Sequence, residues 1–152
     1  MIVLQFAAQS DTLSLAVRAF DHGWCSHVDA IMPDGTLLGA RADGGVRRRL
    51  KDYARFSRAL RVELPATDDV AAKFYAFLTA QLGKPYDFEA IAAFVVGRNW
   101  QKPDSWFCSE LVAAALQAAG WFAHPLATAT NRITPSDLLL VLSAFVAIGT
   151  GQ

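Results

Sequence analysis

Apolar positions recur with two different periods along the chain, and the change from one to the other divides it in two. Residues 1–6 (MIVLQF) read as a first strand. Over 11–20 (DTLSLAVRAF), Leu13, Ala16, Val17 and Phe20 share one helical face, with Ser10 or Asp11 as N-cap and Asp21-His22-Gly23 as the stop. Residues 25–32 then alternate as a strand, Pro33-Asp34-Gly35 supplies a hairpin turn, and 36–40 return. Gly44-Gly45 marks another turn before a short strand from Val46, and 56–64 predict one more strand, stopped by Pro65.

The second half keeps the helical period. Thr67 caps a predicted helix through Gln81, with Asp68 and Asp69 in its first turn, where acidic side chains complement the dipole. Val70, Phe74, Leu78 and Leu82 recur at i, i+4 with Phe77 beside them, a core stripe. A helix is expected over 86–96 and a polar loop over 99–105. Cys108 to Ala119 is a strong helix ended by Gly120, and Thr134-Pro135-Ser136-Asp137 opens the last one, with Pro135 at N1. Strands followed by helices make an α+β fold, a small antiparallel sheet packed against helices. With no repeat or linker, 1–152 is expected to be a single domain.

Composition narrows the function classes. Hydrophobic residues make up 53% of the chain, which argues against disorder, and the net charge is +0 with a pI of about 6.8. That balance gives no global electrostatic case for nucleic acid. Arg47-Arg48-Arg49 with Lys51 is locally basic, and reads as a solvated strand end. The longest apolar stretch near the end, 138–148, is shorter than the roughly 20 residues that cross a bilayer. No basic leader precedes the first strand, so a cytoplasmic location is the default expectation and the two cysteines are expected as free thiols.

Two short segments carry chemistry. One runs Trp24-Cys25-Ser26-His27-Val28-Asp29-Ala30-Ile31, and the other Trp106-Phe107-Cys108-Ser109-Glu110-Leu111-Val112. Cys108 heads an apolar helix, and a thiol becomes reactive as the thiolate, favoured at a helix N-terminus and beside an imidazolium. A lone cysteine in such a helix is otherwise core. His27 heads a strand on which Cys25, His27 and Asp29 share one face and Ser26, Val28 and Ala30 the other. Apolar Val28 and Ala30 suggest that their face points inward, which leaves the His27 face polar and accessible. A nucleophilic cysteine with a histidine base is the pair that a cysteine hydrolase needs.

These segments, in this order, resemble the circularly permuted NlpC/P60 (papain-like) cysteine hydrolases. The resemblance rests on Ser26-His27-Val28, the Asp34-Gly35 turn, Tyr86-Asp87, Cys108-Ser109-Glu110-Leu111 and Thr134-Pro135-Ser136-Asp137, and covers nearly the whole chain. It implies a permuted papain-like fold with Cys108 as nucleophile and His27 as base, acting on cell-wall peptide amides in a bacterial or phage setting. It leaves room for lipid acyl hydrolase or acyltransferase chemistry on the same fold. A peptide-, peptidoglycan- or lipid-like substrate is the expected partner, and no cofactor is implied.

The third catalytic group departs from that pattern. Relatives carry a polar residue on the strand after the hairpin, where this chain has Leu38-Gly39-Ala40. Asp29 is the nearest acidic substitute, but i, i+2 side chains on a strand stand roughly 7 Å apart. Contact with His27 then needs a bulge or a bent side chain. Thr36, Asp43 or a backbone carbonyl could orient His27 instead. Tyr86 is placed either as a donor to an oxyanion beside the Cys108 N–H or as the cap of a following helix. Trp24 is a candidate binding residue or a core aromatic, and Glu110 points away from the thiol. A Cys25/His27/Cys108 zinc site lacks a fourth ligand, and His22 and His124 are expected at the surface. The missing partner at Gly39 also motivates a non-enzymatic reading, an inactive binding or structural module.

Overall fold

The structure, a computed structural model, describes residues 1–89 and 104–146. Most of the helix expected over 86–96 and of the loop over 99–105 lies outside them, as do the last residues of the 138–148 stretch. Five strands, β1 (Ile2–Ala8), β2 (His27–Ile31), β3 (Leu37–Arg41), β4 (Gly45–Arg49) and β5 (Arg58–Leu64), form one antiparallel sheet in the order β4-β3-β2-β1-β5. The described helices are α1 (Thr12–Asp21), α2 (Asp68–Ala80), α3 (Cys108–Ala118) and α4 (Pro135–Ser143), with a 3-10 turn at Thr130–Arg132. The mixed α+β class and the antiparallel sheet packed with helices are as expected from the sequence.

Local chemistry accounts for the boundaries. Asp11 accepts from the Ser14 N–H at the start of α1, and Thr67 accepts from Val70 at the start of α2. The hairpin turn works because Gly35 takes a positive φ of 82° while Asp34 accepts from the Thr36 N–H. At α4, the Thr134 hydroxyl accepts from the Asp137 N–H, the Asp137 carboxylate accepts from the Thr134 N–H, and Pro135 fills N1.

Pairing Leu4 with Ala30 and Phe6 with Val28 sets the register, so Ile2, Leu4, Phe6, Val28, Ala30 and Leu38 build the buried side of the sheet. Phe74 and Leu78 of α2 and Leu111, Val112 and Leu116 of α3 join that core. Each such side chain removed from water contributes about 1.5–3 kcal/mol. The predicted α2 stripe holds at Phe74 and Leu78 but not at Leu82, which lies beyond the helix end and is exposed. No helix among the described residues is long and apolar enough to cross a membrane.

Candidate active site

Cys108 is the first residue of α3. The chain enters through Phe107 in an extended conformation (φ −88°, ψ 155°), and its N–H donates to Oε2 of Glu110 at 3.2 Å. Glu110, fully buried, thus closes the helix start through the Phe107 N–H. Ser109 fixes the same turn from the other side by donating to the Ile133 carbonyl at 2.6 Å. A parallel bridge between Tyr86 and Trp106, with Asp87 N–H donating to the Trp106 carbonyl and Trp106 N–H to the Pro85 carbonyl, holds the entry. That bridge also sets the Tyr86 ring 5.9 Å from the Phe107 ring.

His27 opens β2, paired with Ala7 of β1, and Asp29 is paired with Gln5. His27 Nε2 stands 2.9 Å from Asp29 Oδ1, with side chains 7% and 1% exposed. The contact is a close ion pair whose ring N–H is not aligned on the oxygen. The carboxylate bends back over β3. A Cβ built on Gly39 would collide with Asp29 Oδ1 and lie 3.1 Å from its Cγ. The second oxygen, Oδ2, accepts from the Tyr53 hydroxyl at 2.8 Å. Tyr53 sits beneath two guanidinium groups, with Arg41 4.9 Å and Arg49 5.6 Å from its ring centroid. Arg49 in turn donates to the carbonyls of Gly39 and Gly45, each at 3.2 Å.

Electrostatics follow from burial and pairing. Burial opposes the charged imidazolium of His27, but the charge and contact of Asp29, with Cys108 nearby adding to them, outweigh it and push the pKa up to about 10. Burial likewise opposes the Asp29 carboxylate, and His27, the Tyr53 hydroxyl and Arg49 together hold its pKa below the ordinary value. Tyr53 is pushed far up by burial and by Asp29, so it stays the donor of its bond. Burial raises Tyr86 well above the ordinary phenol, and the charge of Cys108 adds to the rise.

A small cleft opens beside His27, lined by Gln9, Asp11, Ser26, His27, Arg41, Asp43 and Tyr86 among others. Cys108 is 1% exposed and is not among the lining residues. The structure therefore brings together Cys108, His27, Asp29 and Tyr86. Trp24 is not among the residues lining that cleft, and its ring is covered by Arg58 at 4.1 Å. Of the alternative orienters, Thr36 bonds Asp34 and Asp43 pairs with Arg41 at 2.9 Å. The expectation that the His27 face is open needs correcting: His27 and Asp29 are buried, and Tyr53 with Arg41 and Arg49 covers Asp29. Arg49, expected in a solvated basic run, is 10% exposed and part of that cover, whereas Arg47 and Arg48 are exposed.

Cys25 is a buried free thiol 3.6 Å from the Ser136 hydroxyl, and burial raises it to about 11. Among the described residues no group of three or more His, Cys, Asp or Glu side chains is placed to hold a metal ion, which leaves the Cys25/His27/Cys108 zinc site without a cluster. His22 takes the left-handed position that ends α1, and His124 is exposed.

No family model matches the chain, and no curated protein matches it. A solved structure that it resembles is described as metalloprotein yiiX from Escherichia coli O157:H7, DUF1105, with a TM-score of 0.63 and 21% sequence identity. The match covers 80% of this chain and 66% of that one, so the chain spans just under two thirds of that protein. The likeness is one of fold. It corrects the family expected from the sequence: the neighbour is a DUF1105 metalloprotein, not one named as a permuted NlpC/P60 hydrolase. Short motifs such as Ser26-His27-Val28 and Cys108-Ser109-Glu110-Leu111 follow from strand and helix starts, and did not suffice to fix a family.

Proposed function

We propose that the chain is a cysteine hydrolase that cleaves an amide through an acyl-thioester on Cys108. The observation that carries this reading is the buried group Cys108, His27 and Asp29, with the carboxylate 2.9 Å from the imidazole and the thiol near enough to act on the His27 charge. In it, the proton of the Cys108 thiol rests on the His27 ring, which carries it as the imidazolium paired with Asp29, and the thiolate so left attacks the substrate carbonyl carbon. The C–N bond breaks as His27 returns that proton to the leaving amine. A water then loses a proton to His27 and attacks the thioester, which releases the acid and restores the thiol. Asp29 keeps the ring oriented and offsets its charge, a role that needs no proton transfer of its own.

The polar cleft favours a peptide-type amide, of which cell-wall peptides are one class, over a lipid acyl chain. Gln9, Asp11, Arg41 and Asp43 line it, and beside them lies Ser26, whose buried hydroxyl has no hydrogen-bond partner among the described residues. The test is mass spectrometry of the protein after brief incubation with peptidoglycan peptide fragments or with phospholipid vesicles. An acyl adduct on Cys108 with the peptides is expected. An adduct only with lipid would replace the amidase reading by the acyl-hydrolase or acyltransferase one, and no adduct with either would favour an inactive binding module.

A further inference from the structure

Strand geometry alone keeps His27 and Asp29 apart, since neighbours on one face of β2 stand about 7 Å from each other. Their contact at 2.9 Å requires the Asp29 side chain to leave the usual direction and lie across β3. What it lies across is the place of the side chain that Gly39 does not have. A Cβ there would collide with Oδ1 and also approach the Val28 carbonyl to 3.3 Å. We propose, on the hydrolase reading above, that Gly39 and Tyr53 are positioning residues for His27: Gly39 leaves the volume that the Asp29 carboxylate occupies, and Tyr53 anchors its second oxygen.

The backbone supports a spatial role for this glycine. Gly39 does not take a positive φ, in contrast to Gly35, Gly44 and Gly45, so an L side chain is excluded here by space and not by conformation. Its carbonyl is held by Arg49, whose guanidinium also lies over the Tyr53 ring. Arg41 Nη1 donates both to the Tyr53 hydroxyl at 3.3 Å and to Gln9 Oε1 at 2.7 Å. Arg41 from β3, Arg49 from β4, Tyr53 and Cys108 from α3 are thus the titratable or charged groups set around the pair, with Tyr86 beside the thiol. An acid on β2 served by a gap on β3 does the work that an acid on β3 itself could do, which removes the case for inactivity drawn from Gly39.

Two readouts on the intact chain test this, with wild type compared against Gly39→Ala and Tyr53→Phe, and Asp29→Asn marking complete loss. One is the NMR titration of the His27 ring protons, and the other the rate of iodoacetamide labelling of Cys108 across pH. Both variants are expected to lower the His27 midpoint by about one unit or more and to slow labelling at pH 7 about tenfold. Folded variants that keep the wild-type midpoint and labelling profile would overturn the proposal. If Gly39→Ala does not fold, Tyr53→Phe decides, since phenylalanine keeps the ring under both guanidinium groups and loses only the hydroxyl. The two readings fail separately. Slow, unselective labelling of wild-type Cys108 sinks the hydrolase, while the His27 midpoints still report whether Gly39 and Tyr53 place Asp29.

Discussion

At the scale of single residues, the account turns on a charged pair kept almost entirely from water. Removing one partner of a buried pair costs about 3–5 kcal/mol when the other stays charged, and less here because His27 can shed its proton. The pair gives a pH dependence with a definite sign. His27 has a folded pKa of about 10 against an ordinary 6.5, so its contribution is whole below about 6.5 and is lost as pH climbs toward 10. Asp29 is held below 3.8, so its contribution is present above that value and is lost in acid. Denaturant unfolding at pH 6 and 9.5 is therefore expected to show a loss at the higher pH that His27→Ala reduces by up to a few kcal/mol, at about 1.4 kcal/mol per unit. An identical alkaline loss in the variant would mean that His27 holds no such proton. Cys108, His27 and Asp29 were legible as candidates, because a thiol at a helix start and a histidine at a strand start leave marks in the sequence. Tyr53 was not. It lies in a loop 24 residues after Asp29, and nothing in Tyr53-Ala54-Arg55 marks a hydroxyl that reaches back to β2.

Helix starts and strand starts place the chemistry. α3 presents the sulfur because Phe107 is extended and Glu110 ties down its N–H, and α4 is tied to the end of α1 through Asp21. That carboxylate accepts from the Thr134 hydroxyl at 2.7 Å and from the Ser136 N–H at 3.2 Å. Thr134→Ala removes a cap and one of these two bonds to Asp21, and is expected to lower stability by about 1–2 kcal/mol in thermal or denaturant unfolding. A change of a few tenths would show that Asp137 and Pro135 fix the start of α4 unaided. Element boundaries read from the sequence agree with the structure to within about two residues wherever a cap or turn marks them, as at Asp11, Thr67, Gly35 and Thr134. They were least legible where side chains from elsewhere decide burial. The alternation in β2 predicts one open face, yet residues of β3, β4 and the loop after β4 close it.

For the whole molecule, the sheet order puts the first strand between β2 and β5, so the His27 strand is internal and its site is formed between β2, β3 and the start of α3. Sequence order conveys none of this: Cys108 and His27 are distant in the chain, and the covering groups come from three further segments. The fold class was readable because helix and strand periods survive in the pattern of apolar residues. The family was not, since short motifs at element starts recur wherever the same local physics does, and the solved neighbour shares the fold at 21% identity. The hydrolase reading is tested most directly by comparing the two buried thiols, 1% and 0% exposed, in one sample. Iodoacetamide at pH 7 is expected to alkylate Cys108 at least tenfold faster than Cys25, whose pKa is raised to about 11. His27→Ala is expected to abolish that preference. Equal, slow alkylation of both cysteines in the wild-type protein, unchanged by the His27 substitution, would contradict the account.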